Sequence, residues 1–276
     1  MSQPSTPALG PAARTAFYCC ALRAADAQRV APVCGDTFAA RFLDEDVLEK
    51  MRPMLQIQGP SASNVARHRL IDDWLRAALT ADPERRVIVL GAGFDTRAFR
   101  MPGGRWWELD SPEVIAFKNA RLPVAEAPRS LVRVPCGVTD DQLAGQLTSL
   151  AGDDVVTVVL EGVSMYLTSA VLERLVTVVR TTLPNAHLIC DLMTPAFRAR
   201  YSATLRRELE KQGAEFSKET EDPRIIIERA GYRATRHESI VGRARQAGTV
   251  RVPGWLLATF LRGLRDGYQV WAFEPR

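Results

Sequence analysis

No stretch of about 18 uninterrupted apolar residues occurs in this chain, and its first residues lack a charged-then-apolar leader. Neither a membrane-spanning nor a secreted protein is therefore expected. Histidine is scarce, with His68, His187 and His237 the full complement. The five cysteines are odd in number and lack Cys-x-x-Cys spacing, which argues against both a disulfide framework and a zinc site. Buried, reduced thiols in a cytoplasmic protein, with no bound metal, are the expectation. Lysine stands only at positions 50, 118, 211 and 218, so arginine supplies most of the 36 basic residues set against 32 acidic ones. The resulting charge of +4 is too small and too dispersed to call for nucleic acid. What remains is a globular composition, 46% hydrophobic and 25% charged. Its 276 residues suit one large domain or a domain with a lid.

The chain is organised around the apolar, β-branched run Val87-Ile88-Val89-Leu90 and the turn Gly91-Ala92-Gly93-Phe94-Asp95-Thr96-Arg97. Such a run, ended by two glycines one residue apart, predicts a buried parallel strand entering a tight turn. Glycine is wanted there because a side chain would hold the backbone away from whatever sits on the loop. A second strand at 106–110 carries Glu108 and Asp110, 17 and 19 residues beyond Gly91. That is the reach at which the tip of a second strand grips a ribose.

Around this centre the chain reads in order. Residues 1–13, with three prolines among small residues, predict a disordered tail. Helical spacing follows over 15–30 and 36–51, then a loop over 58–63, with Ser63 or Asn64 capping a helix to about residue 79. Further strands are expected at 131–134, 155–160 and 187–190, and a helix at 169–183. Residues 193–218 are arginine-rich, helical in pattern and too long for a simple connection, so they are read as a lid. A helix near 253–264 and a last strand at 268–273 complete the chain. The divisions expected are N-terminal helices (14–82), a cofactor-binding core (83–192), the lid (193–231) and the end of the sheet (232–276).

The ligand suggested by these residues is not a nicotinamide dinucleotide. Thr96 stands where the third glycine of the dinucleotide fingerprint would allow a helix to pack closely on the strand. The polar Asp95-Thr96-Arg97 suits a sugar and a charged tail better than a diphosphate. S-adenosylmethionine has a ribose, an amino acid tail and no phosphate. Glu161, at the end of the run 155–160, stands where ligands meet open α/β sheets, and with Gly162 it is a candidate cofactor or substrate residue.

Four motifs in sequence resemble those of the leucine carboxyl methyltransferase family. They are Ala66-Arg67-His68-Arg69-Leu70-Ile71-Asp72-Asp73, then Val89 to Arg97, then Glu108-Leu109-Asp110-Ser111-Pro112-Glu113-Val114 with Lys118, and finally Leu160-Glu161-Gly162-Val163-Ser164-Met165-Tyr166-Leu167. Within the family, the chain is most similar to the bacterial branch that methylates small molecules, including polyketide carboxylic acids. The resemblance implies a Rossmann-like α/β fold of the class I methyltransferases. Its mostly parallel, seven-stranded sheet would carry helices on both faces, N-terminal helices and a helical lid, with the last strand inserted antiparallel. It also implies that Arg67 holds the cofactor's carboxylate, as an arginine fork can. The family's aspartate after the third strand, near the adenine, is missing from Cys136-Gly137-Val138-Thr139-Asp140; the backbone at Val138, or the Thr139 and Asp140 side chains, are the substitutes considered. The cofactor set is thus Arg67, Gly91, Ala92, Gly93, Asp95, Arg97, Glu108, Asp110, Val138, Thr139, Glu161 and Gly162.

Methyl transfer from a sulfonium works mainly by holding nucleophile and methyl together, and a base is needed only if the acceptor must lose a proton. Tyr166 and His68 are the catalytic candidates, although a histidine at 68 reads more readily as a surface or packing residue. The lack of an evident base favours a carboxylic acid, with a phenol or other hydroxyl as the alternative, and a nicotinamide-dependent oxidoreductase, a binding module without turnover or a protein carboxyl methyltransferase as rivals. The partner expected is a small-molecule acceptor, with neither nucleic acid nor membrane, and a monomer or homodimer is equally compatible with the sequence.

Overall fold

In a computed structural model that describes residues 10–152, 154–211 and 213–276, helices come first and strands then alternate with them. The opening helices are α1 (Pro11–Ala27), α2 (Glu45–Leu55) and α3 (Gln58–Ala81). The first half of the sheet region runs β1 (Arg86–Leu90), α4 (Arg97–Arg100), β2 (Arg105–Asp110), α5 (Pro112–Arg121), β3 (Leu131–Pro135) and α6 (Leu143–Thr148). Then come β4 (Val156–Leu160), α7 (Ser169–Thr182), β5 (Ala186–Met193), α8 (Pro195–Tyr201), α9 (Ala203–Lys211) and α10 (Pro223–Arg229). The chain closes with β6 (Tyr232–Ser239), α11 (Ile240–Gln246), α12 (Gly254–Ala258), α13 (Arg262–Asp266) and β7 (Tyr268–Pro275).

The strands form one sheet in the order β3-β2-β1-β4-β5-β7-β6, parallel except for β7, which runs antiparallel to both β5 and β6. Every residue of β1 and β4 is buried, as parallel strands covered on both faces require. Alternation sorts their side chains between two cores. Val87, Val89 and Val159 join the core beneath α1–α3, whereas Ile88, Leu90, Val158 and Leu160 join the one beneath α7 and α10. The order of connection reverses between β1 and β4, so the crevice at their carboxyl ends is the natural ligand position.

The expected sheet and its antiparallel last strand are thus present, but several boundaries need correction. Helix α1 begins at Pro11, inside the stretch read as a tail; residues 1–9 lie outside those described. The helix expected over 36–51 is interrupted by Leu43 and Asp44, and the Asp44 side chain caps α2 by accepting from the Val47 N–H at 2.9 Å. The loop expected over 58–63 is helical, so Ser63 and Asn64 are interior rather than capping. Pro60 is tolerated because N–H groups in the first turn have no intrahelical partner. The lid region holds two short helices followed by an irregular stretch, the helix near 253–264 is two short helices, and α11 was not expected.

Glu108 is not at the ligand crevice. It is fully buried, with Oε2 2.8 Å from both the Lys118 ammonium and the Arg133 guanidinium. Glu108→Ala would leave two buried cations sharing no carboxylate, a loss of about 3–5 kcal/mol of stability. Urea unfolding should show that loss, with Glu108→Gln intermediate because it keeps a hydrogen-bond acceptor.

Candidate active site

The turn after β1 is shaped by glycines with positive φ. At Gly91 (φ +64°) a Cβ would come within 2.7 Å of the Val163 side chain, so the residue that follows the strand must be glycine. The Ala92 N–H donates to the Leu109 carbonyl at 3.0 Å, and the Gly93 N–H donates to Asp110 Oδ2 at 2.7 Å. Asp110 Oδ1 accepts from the Ser111 N–H, also at 2.7 Å. Burial raises the Asp110 pKa, and these two N–H groups pull against it. A carboxylate has about four lone-pair positions, so acceptor capacity remains for a pair of vicinal hydroxyls.

A second constellation joins α3 to the ends of β4, β5 and β7. Arg67 donates through Nε to Glu161 at 3.0 Å, and through Nη1 to Asp191 at 3.1 Å and to the Tyr268 hydroxyl at 2.6 Å. Among the described residues its remaining nitrogen, Nη2, reaches only the Cys19 sulfur, at 3.9 Å. Asp191 in turn accepts from the Gly162 N–H at 2.6 Å and from the Tyr268 hydroxyl at 2.7 Å. Arg97 is fully buried and donates to Glu161 at 2.7 Å and to Asp72 at 2.6 Å, and it also pairs with Asp95. Burial would raise the Glu161 pKa, but Arg97, His68 and Arg67 outweigh it and hold the carboxyl well below its usual range.

His68 lies inside this network and not on the surface. Its Nδ1 is 2.9 Å from the Arg97 guanidinium and 3.2 Å from Glu161, while Nε2 faces the Arg100 guanidinium. With guanidiniums against both ring nitrogens the neutral ring is favoured, and burial together with Arg97 lowers its pKa.

These groups face a cavity of about 700 Å³, within the size range of small-molecule sites. Arg67, Gly91, Ala92, Gly93, Asp95, Asp110, Val138, Thr139, Glu161 and Gly162 all line it, as do His68 and Tyr166. Arg97 and Glu108 do not: Arg97 acts from behind, through Asp95 and Glu161, and Glu108 belongs to its own ion cluster. Asp140 is turned into its own loop, accepting from the Gly137 N–H at 2.6 Å. Sequence reasoning missed Tyr18, Cys19 and Arg23 of α1, and also Tyr268. It placed Asp191 at a strand end, a usable signal, without giving it a role.

The cavity has two chemically distinct ends. All its charged groups (Arg23, Arg67, Asp95, Asp110 and Glu161) belong to the sheet side, where carboxyls outnumber guanidiniums by one. The far end is walled by Phe197, Leu205, Leu209, Phe216, Val250 and Leu264, all from the segments after β5. Tyr268, Phe197 and Tyr201 form a line of rings between the ends, with centroid spacings of 5.5 Å and 5.4 Å.

The residues present suit S-adenosylmethionine. Its ribose matches the acceptor capacity of Asp110, and its carboxylate matches the uncommitted Nη2 of Arg67. Its net positive charge matches a lining with one carboxyl in excess, a balance that disfavours the diphosphate of a nicotinamide dinucleotide.

Comparison with known proteins agrees. The model of the leucine carboxyl methyltransferase family matches residues 16–180. A Parafrankia protein provisionally named as an S-adenosyl-L-methionine-dependent methyltransferase is 35% identical over 132 residues, covering 45% of this chain and 42% of its own. A Mycobacterium tuberculosis protein with the same provisional name is 29% identical over 219 residues, covering 70% of this chain and 65% of its own. The chain thus spans less than two thirds of the length of these relatives. In fold, it is similar to a DUF574 family protein from Streptomyces avermitilis, with TM-score 0.57, 12% identity and coverage of 87% of this chain and 95% of that one. A protein from Thermobifida fusca, provisionally named as a methyltransferase, gives TM-score 0.56 at 16% identity, with coverage of 90% and 94%.

The buried network makes stability depend on pH in two steps. The His68 pKa lies below its usual 6.5, so as pH falls past that value the unfolded chain gains a proton that the folded one refuses, and stability declines. Asp36, bonded to Arg23 at 2.9 Å, has its pKa pushed up by burial but held by Arg23 and Arg100 at about 2. Its contribution, on the order of 2 kcal/mol, is complete above the unfolded value near 4 and is lost as pH falls towards 2. Urea midpoints measured against pH should show both declines, with His68→Gln removing the upper one and Asp36→Asn reducing the lower, to which the lowered carboxyls of Asp72, Asp95 and Glu161 also contribute.

Proposed function

This chain belongs to the leucine carboxyl methyltransferase family of S-adenosylmethionine-dependent enzymes, and from that premise we propose that it O-methylates a small, largely apolar carboxylic acid, of the polyketide kind found in secondary metabolism. When bound, S-adenosylmethionine supplies a methyl group on a positively charged sulfur and departs as a neutral thioether. Asp110 holds the ribose, Arg67 holds the amino acid carboxylate, and the backbone of Gly91–Gly93 lies against the adenosyl group. Val138 and Thr139 stand beside the adenine in place of the family's acid.

One observation carries the choice of acceptor: among the described residues of the cavity wall, neither the tyrosines, nor Glu161, nor His68 is placed to take a proton near neutrality. Burial pushes the Tyr18 hydroxyl up to about 12 and the Tyr166 hydroxyl higher, so both remain donors. Glu161 is held ionised by Arg67, Arg97 and His68, and both nitrogens of the His68 ring are occupied. A phenol, with a pKa of about 10, would call for such a base, whereas a carboxylic acid is already ionised at pH 7. The apolar far end then desolvates the acceptor and sets it in line, an effect that supplies up to about 7–11 kcal/mol of a barrier.

The test is incubation with S-adenosylmethionine and a panel of aliphatic and aromatic acids and phenols, with products read by mass spectrometry. Methyl esters should form, and kcat/KM should be flat between about pH 6 and 9, above the pKa of a carboxylic acid. Aryl ethers formed with an essential group titrating near neutrality would overturn the reading. Asp110→Asn should weaken S-adenosylhomocysteine about 10- to 100-fold in calorimetry, the value of a hydrogen bond to a charged group.

A further inference from the structure

Behind the cavity's apolar wall lies a surface that the methyltransferase site does not use. Of the exposed large apolar side chains among the described residues, only Trp255 and Phe260 are aromatic, at 65% and 80% exposure. They stand five positions apart, and the turn between them is closed by the Leu261 N–H donating to the Leu256 carbonyl at 2.9 Å. Each aromatic residue immediately precedes one partner of that hydrogen bond, so the two belong to one small patch. Isolated exposed apolar side chains are ordinary, but a pair of aromatics held together in water calls for a partner.

The charge around the pair has one sign. Residues 239–265 contain five arginines and no carboxylate. Two of the five are neutralised, Arg243 by Glu238 and Asp73 and Arg265 by Asp266. Arg245, Arg251 and Arg262 are exposed and form no ion pair among the described residues, although Arg262 acts on Asp266 from a distance. Arg245 is seated beside the pair. Its Nε donates to the Val252 carbonyl at 2.9 Å, and its guanidinium lies 3.0 Å from where a Cβ on Gly254, next to Trp255, would stand. Val250, Val252 and Leu264 of the same segment line the cavity, so the patch belongs to the stretch of chain that walls its apolar end.

We infer that this segment docks on an anionic lipid bilayer, with Trp255 and Phe260 entering the headgroup boundary and Arg245, Arg251 and Arg262 facing lipid phosphates. Indole suits a boundary that is apolar on one side and wet on the other. Arginines near an anionic membrane add an attraction that fades within a Debye length. A second copy of this chain fits less well, because a self-complementary contact would bring the three unpaired guanidiniums against like charges. The preference for lipid over an acidic carrier protein rests on the methyltransferase reading above. An acyl chain loaded on a carrier has its carboxyl tied up in the linkage, whereas the proposed acceptor needs a free carboxylate. A free acid with an apolar body partitions into a bilayer, and docking there sets the segment that walls the apolar end of the cavity against the acceptor's reservoir.

The experiment is flotation of the full chain with vesicles of phosphatidylcholine alone, or of equal parts phosphatidylcholine and phosphatidylglycerol. Wild type should float with the mixed vesicles at low salt, bind them about tenfold more weakly at high salt, and ignore phosphatidylcholine alone. Arg251→Gln combined with Arg262→Gln should weaken the partition about 25-fold, at about fivefold for each arginine near an anionic surface. Trp255→Ala combined with Phe260→Ala should weaken it about tenfold or more. Both double variants should keep the wild-type thermal midpoint and S-adenosylhomocysteine affinity, since none of the four residues lines the cavity. Absence of flotation with mixed vesicles, equal flotation with both kinds, or full flotation of either double variant would overturn the inference. Retention on polyglutamate or polyuridylate with none on vesicles would also overturn it, assigning the patch to an acidic protein or an RNA. Calorimetry with S-adenosylhomocysteine decides the methyltransferase reading separately; its failure alongside flotation would remove the acceptor's route and leave the surface assigned to lipid.

Discussion

The ion network beneath the cavity, in which Glu161 lies between Arg67 and Arg97, is what the site depends on, because it ties together parts of the chain that the sheet alone does not align. Arg67 comes from α3, Glu161 from the end of β4, Asp191 from β5 and Tyr268 from the antiparallel β7. Arg97 brings in the turn after β1, and through Asp72 it returns to α3. Buried ion pairs contribute little net stability against apolar substitutes, since desolvation offsets their attraction. Their value here is geometric. Fixing Nε and Nη1 of Arg67 leaves Nη2 as its one nitrogen without an oxygen partner among the described residues, and under the proposed function that is the nitrogen a cofactor carboxylate meets.

The N-terminal helices belong to the same arrangement. Arg23 of α1 donates to the Phe94 carbonyl at 2.7 Å and pairs with Asp36, which also accepts from Thr96 at 2.7 Å. The glycine turn is therefore clamped from outside the sheet as well as by Asp110 within it. The aromatic cluster of Phe17, Phe42, Phe94 and Phe117 backs the same turn, with Phe42 stacked on Phe94 at 5.0 Å. A loop with two positive-φ glycines is intrinsically costly to order, and these contacts confine it before any ligand arrives.

Much of this was legible in the sequence where one segment carried the whole signal. The β-branched runs, the glycine turn, the acid of Asp110 and the strand-end Glu161 are local patterns, and each lines the cavity or builds the sheet as expected. What sequence could not supply were partners chosen by topology. Glu108 and Asp110 alternate onto the same face of β2, and nothing local distinguishes them. Lys118 and Arg133, from α5 and β3, claim the first and leave the second at the strand tip. Asp191 and Tyr268 meet 77 positions apart only because β7 inserts beside β5. His68 looked like a packing residue because its neighbours, Glu161 and Arg100, lie in other elements. Helix α1 is buried on several sides, so its apolar residues form no single stripe that would have set Tyr18 and Cys19 apart.

The division of the cavity explains why the acceptor's identity is written least clearly. Residues on the sheet side are constrained by charge: altering any of Arg67, Glu161 or Asp191 leaves a buried partner unpaired. Residues on the far side, such as Leu205, Phe216 and Val250, contribute shape through short helices and irregular segments that are not part of the sheet. Exchanging one apolar side chain there for another changes volume at modest cost. Specificity can therefore drift in the segments after β5 while the charged end stays fixed, and periodicity records such segments poorly.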